Sequence, residues 1–223
     1  NPHPRRKIPF TAAMVKTFEQ RWASSNDPHE RILAAAAPLA FCCLLRGSEY
    51  LTTPKRGKEH RIHALRACDI QFQRKSKHST AEYIDASQIH SKKLTWDQVI
   101  LVRITLQSAK NDPFRAGKTM WFKAKQENQH GWDLAGILFH WAKSIHLKPE
   151  NQFFSYPSIK KKQQVLIPLT YDYMRKAIHK FVTELGLPPE LYGVHSFRIG
   201  GACTLRAGGA SDSFIQFMGR WKS

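Results

Sequence analysis

Residues 194–223 read VHSFRIGGACTLRAGGASDSFIQFMGRWKS, and the assignment of the whole chain turns on them. The segment from Val194 has helical spacing, with Gly208 and Gly209 as its stop. That spacing puts His195 and Arg198 on one face near the helix start, where an imidazole and a guanidinium can converge on a single anion. A shorter helix follows over SDSFIQFM: Phe214, Phe217 and Met218 recur at i, i+3 and i+4, and Gly219 ends it just before Trp221. An isolated HxxR pair more often marks a capped helix end and a solvated face, so its meaning depends on the rest of the chain.

Upstream, helical patterns dominate. TAAMVKTFEQRWA places Met14, Val15, Phe18 and Trp22 on one side, behind Thr11 as N-cap. RILAAAAPLAFCCLLRGSEYL reads as one buried helical run with a break or kink at Pro38. Its interior carries Arg46 and Glu49 one helical turn apart, and an arginine in so apolar a run requires a reason. DLAGILFHWAKSI is a further helix. TYDYMRKAIHKFVTELG begins at Thr170 as N-cap, aligns Met174, Ile178, Phe181 and Leu185, and stops at Gly186 before Pro188.

Two regions read as β-structure. Ile70 and Phe72 alternate with polar neighbours inside a basic segment containing Lys55, Arg56, Lys58, Arg61, Arg66, Arg74, Lys75 and Lys77. Such cations flanking a strand suit a phosphate-facing edge. Residues 99–125 give VILVRITLQSAK, NDPFRAGK and TMWFKAK, a β-hairpin with Asn111, Asp112, Pro113 and Gly117 in its turn and Lys110 at the end of its first strand. The expected fold is α+β, mainly α-helical, with a small antiparallel sheet on one edge.

Composition narrows the partner. Lys and Arg number 35 against 17 Asp and Glu, and this formal balance of +18 is spread along the chain, so polyanions are drawn to it, nucleic acid foremost. No apolar stretch approaches bilayer-spanning length, which argues against a membrane role. With 42% hydrophobic residues, 6 Trp and 13 Phe, one substantial core is affordable and several are not. The 4 Cys lack both zinc-site spacing and the density of a secreted disulfide scaffold, so a reducing compartment is expected: the nucleus in a eukaryote, the cytoplasm otherwise. His60 and His63 have ligand-like spacing, but the neighbouring cations Lys58, Arg61 and Arg66 argue against bound metal.

The order and separation of LLRGSEYL around Arg46, SAKNDPFRAGK around Lys110, HSFRIGGACTLRAGGA around His195 and Arg198, and the closing FMGRW resemble the catalytic domain of the tyrosine recombinases. HSFRIGGA followed by GRWKS looks most like the recombinases of Crypton and DIRS-type mobile elements, and the final segment is also similar to Cre recombinase, which has Trp where many relatives have His. The resemblance implies that residues 1–223 form the DNA breaking and rejoining domain. It also implies a preceding DNA-gripping domain and, about eight or nine residues past GRW, an attacking tyrosine on a further short helix. Both would lie outside these residues, as in an excised segment.

The chemistry accounts for the residue types. Tyrosine attack on a phosphodiester builds charge on the non-bridging oxygens, which planar guanidinium groups hold bidentately. By resemblance, Arg46 and Arg198 form that clamp, and His195 supports the phosphate or shuttles a proton. Trp221 donates its indole N–H to a phosphate oxygen and packs the site. Lys110 is the candidate acid for the departing 5′ oxygen, with Lys118 and Lys123 as competitors. Glu49 orients or balances Arg46. The resemblance implies no metal, ATP or other cofactor, since the phosphotyrosine link stores the bond energy. It implies no small-molecule substrate either. The partner would be double-stranded DNA, gripped by a homo-tetramer of the full-length protein.

Three rival readings stand beside this one. A DNA-binding module derived from a recombinase would keep the phosphate grip without the chemistry. A type IB topoisomerase uses a similar set of groups, although Trp221 and the GRWKS ending favour a recombinase. Generic RNA binding finds no support, because no aromatic sheet signature of the RNA-recognition kind is legible.

Overall fold

A computed structural model describes residues 6–53, 64–75, 81–107, 117–125, 131–160 and 162–221. Its contacts group the chain into two compact units, one drawn from residues 1–60 and 169–223 and the other from 61–168. The fold is α+β, with seven α-helices and antiparallel sheets among the described residues.

In the first unit, side-chain caps set the helix starts. The Thr11 hydroxyl accepts the Met14 N–H at 3.1 Å and opens α1 (Ala12–Ala23), which buries Val15, Phe18 and Trp22. Asp27 caps α2 (Pro28–Cys42), with Pro28 in the first turn where its missing N–H costs nothing. A four-residue turn, α3 (Gly47–Tyr50), follows. Thr170 caps α4, here Tyr171–Glu184, and Gly186 ends it at a φ of 73°. Then come α5 (Val194–Ala207) and α6 (Asp212–Gly219), the latter capped by Ser211.

An aromatic cluster joins these elements. Phe10 stacks on Phe197 with centroids 4.8 Å apart, while Phe18 meets Phe181 and Phe197 edge-on at 5.2 and 5.8 Å. The GG pair of α5 permits the contact: a Cβ on Gly200 would collide with the Phe10 carbonyl, and one on Gly201 with the Phe41 carbonyl. These two glycines are therefore contact points where backbone meets backbone.

One expectation for this unit needs correction. The run 31–51 is not one helix broken at Pro38, because α2 passes through Pro38 and stops at Cys42. The proline removes one backbone bond without ending the helix. The true break is Leu44, in the left-handed region at φ 47°, with the Leu45 N–H closing back on the Ala40 carbonyl at 2.9 Å. Arg46 is consequently an extended N-cap residue and not part of a helix interior. The short helix expected up to Gly219 is present as α6, with Phe214 and Phe217 46% and 61% exposed and Ile215 and Gly219 buried.

In the second unit, β1 (Ile70–Arg74), β2 (Glu82–Asp85), β3 (Val99–Leu106) and β4 (Lys118–Lys123) form an antiparallel sheet in the order β2-β1-β3-β4. The expected pairing of residues 99–106 with 118–123 is present, from Leu101 opposite Lys123 to Leu106 opposite Lys118. One face packs on a helix, Leu134–Lys143, whose Phe139 meets Phe72 edge-on at 5.5 Å. A separate hairpin pairs β5 (Ser155–Lys160) with β6 (Gln163–Pro168).

Candidate active site

The site is assembled in the first unit from three short pieces of chain: the corner 44–49, the start of α5, and the residues after α6. Each is held in place by arginine side chains reaching main-chain carbonyls.

Arg198 is 2% exposed. Its Nη1 donates to the Leu44 carbonyl and its Nη2 to that of Gly219, so one guanidinium ties α5 to the other two pieces. Carbonyl acceptors orient the group without cancelling its charge, and two of its five N–H groups are used in this way. Burial, then Arg46 and Arg220, pull its pKa down to about 10, which leaves it cationic at neutral pH.

Arg46 is partly exposed. Its backbone N–H donates to Glu49 Oε2 at 2.7 Å, its Nη1 to Glu49 Oε1 at 3.3 Å and its Nη2 to the Arg220 carbonyl at 3.3 Å. His195 lies at the open side, and its pKa falls below 6.5 through desolvation first, then the positive fields of Arg198 and Arg46. Trp221 is 41% exposed and its ring lies 5.0 Å from the Arg198 guanidinium carbon, a cation–π contact. Gly219 makes room for that ring, since a Cβ there would come within 2.9 Å of it.

Arg220 is the residue that the sequence reading missed. Left-handed at φ 54°, it donates from Nε to Glu49 Oε1 at 3.3 Å and from Nη2 to Glu49 Oε2 at 2.7 Å. It also donates to the Cys43, Leu44 and Met218 carbonyls. Glu49, 1% exposed, therefore balances Arg220 through two bonds and Arg46 through one weaker side-chain bond. The available signal was the placement of Arg220 between the α6 stop and Trp221.

Two guanidinium groups, of Arg46 and Arg220, thus bond one carboxylate, while a third, of Arg198, is held by carbonyls and an imidazole lies at the rim. The excess positive charge, in a largely desolvated setting, is complementary to a bound anion carrying several acceptor oxygens.

No protein-family model matches this chain, and no curated protein matches it.

The remaining expected residues lie in the second unit or outside the described residues. Lys110, Lys55, Arg56, Lys58, Arg61 and Lys77, like His60 and His63, fall outside them. Arg66 pairs with Asp69 at 3.2 Å, and this bond raises its pKa. Arg74 donates to the Lys92 carbonyl at 2.6 Å and lies 3.5 Å from Glu82, while Lys75 is exposed. Lys118 and Lys123 begin and end β4. Among the described residues, no three His, Cys, Asp or Glu side chains are grouped to hold a metal, and no helix is long and apolar enough to cross a membrane.

Proposed function

We propose that this chain grips the phosphodiester backbone of duplex DNA at the Arg46–Arg198 cluster, as the catalytic domain of a tyrosine recombinase acting in site-specific recombination or mobile-element integration. The carrying observation is the convergence of Arg46, His195, Arg198 and Trp221, brought together from positions up to 175 residues apart by one carbonyl network. In this reading Arg46 and Arg198 hold the non-bridging oxygens and stabilise the five-coordinate phosphorus. His195, whose pKa burial and the neighbouring arginines hold below the ordinary value, supports the phosphate or passes a proton at the rim. Trp221 donates its indole N–H to a phosphate oxygen. Lys110 protonates the departing 5′ oxygen, and a tyrosine outside residues 1–223 forms the 3′-phosphotyrosine. The full-length protein would act as a tetramer on two duplexes.

Titrating labelled duplex with this chain tests the grip. Affinity should fall linearly with salt on logarithmic axes, and R46M should reduce the slope by about one. Affinity unchanged between low and moderate salt would remove the DNA reading. For the chemistry, a nicked suicide duplex incubated with the full-length protein should trap a covalent adduct that R198K fails to form.

One observation favours a second reading, a DNA-binding module without cleavage. Arg198 is nearly inaccessible and staples three segments together, a task that it would keep in the absence of chemistry. Failure of the full-length protein to trap a nicked duplex, with duplex binding intact, would select this reading.

A further inference from the structure

The face of the four-stranded sheet opposite the Leu134–Lys143 helix brings together side chains that are remote in sequence. Strand alternation turns Phe72, Val102, Ile104 and Met120 into the core. It leaves Gln71, Arg103 and Trp121 in register across three strands on the other face. Tyr83 and Lys123 belong to the next row of that face, through Gln73 and Leu101.

This row is organised. The Arg103 guanidinium lies 4.1 Å over the Tyr83 ring, and both its Nε and Nη2 donate to the Gln71 side-chain oxygen, so its plane is fixed. Trp121, the cross-strand neighbour of Arg103, is 58% exposed, and Lys123 beside it is exposed as well. Asp85, the one acid on the row, already accepts the Ser87 N–H at 2.9 Å.

An open indole next to an oriented guanidinium and a lysine offers a flat apolar surface flanked by positive charge. A base with its attached phosphate matches both features. Duplex bases have their faces covered by their neighbours, so only an unpaired strand can use the indole. We propose that this sheet face binds an unpaired nucleic-acid strand, with one base stacked on Trp121 and adjoining phosphates held by Arg103 and Lys123. The inference is independent of the arginine cluster of the first unit and goes beyond duplex gripping.

Anisotropy titrations with labelled oligo-dT and oligo-U of about ten nucleotides, within the site sizes of such platforms, test the proposal. W121A should weaken binding roughly 5- to 150-fold, the range for loss of one base stack, while W121F retains most of it and duplex affinity stays unchanged. The stronger of the two oligonucleotide arms identifies DNA or RNA as the source of the strand. Equal binding by W121A, equal binding of an abasic oligomer, or an equal loss of duplex affinity would overturn the proposal. So would dispersal by W121A of a dimer seen in sedimentation, which would make the face a contact between copies. Loss of duplex binding in R46M with oligonucleotide binding intact would bear only on the arginine cluster.

Discussion

Arg220 grips Glu49 in a two-bond fork at 3.3 and 2.7 Å, and both side chains are buried. The fork keeps the carboxylate from pairing fully with Arg46. It also fixes the left-handed turn that carries Trp221. R220M should cost about 3–5 kcal/mol, because it leaves a buried carboxylate with a single weak side-chain partner. E49Q added to R220M should recover part of that loss, and denaturant titration of the four proteins reads the cycle.

His195 provides a pH signature. Its folded pKa lies below the unfolded 6.5, so between the two values the unfolded chain binds more protons and stability rises with pH. The contribution is fully present above 6.5 and is lost as pH falls through the folded value. A bound phosphate acts in the opposite direction and favours the imidazolium, so anion binding should tighten on acidification. An NMR titration of the imidazole with and without a short duplex should show the pKa raised by DNA, and H195Q should abolish the pH dependence of binding between about pH 5.5 and 7.5.

Arg198 should not tolerate lysine. An ammonium cannot span the Leu44 and Gly219 carbonyls in a planar fork, and burial beside two arginines favours its neutral form. R198K is expected to cost about 1–3 kcal/mol in stability for an orphaned buried carbonyl. If the chain acts in strand cleavage as proposed, R198K should slow that step about 10²- to 10³-fold. Denaturation and suicide-duplex trapping measure the two effects.

The glycines of α5 make a steric prediction. G200A and G201A each drive a methyl into a backbone carbonyl, of Phe10 and Phe41, which cannot rotate away. Each should destabilise by about 1–3 kcal/mol or more. G209A, at φ 82° with open space around it, should cost about 1 kcal/mol from backbone strain alone. Comparing the denaturant midpoints of the three separates packing from strain.

Much of the secondary structure was legible in local pattern. Thr11 and Thr170, read as N-caps, cap their helices because a hydroxyl satisfies an orphan N–H wherever the sequence places it. The 99–123 hairpin declared itself by β-branched runs around turn residues. Strands β5 and β6 escaped notice, because Pro157 and the lysines at 160–162 mask a short alternation. The break at Leu44 was misplaced for a different reason. Proline is the local signal for a break, whereas a left-handed leucine is sustained by Arg198 and Arg220, which donate to its carbonyl from the far end of the chain.

The sequence by itself determined the cationic excess and the helical periodicities, since charge and spacing are properties of the chain, while Arg46, His195, Arg198 and Trp221 became candidates through the resemblance of their motifs to the tyrosine recombinases. Only the tertiary structure decided that Arg220 takes the Glu49 carboxylate and that Tyr83, Arg103 and Trp121 share one sheet face. Both outcomes depend on contacts between residues distant along the chain, whose geometry is set by which carbonyls and strands packing brings within hydrogen-bonding reach.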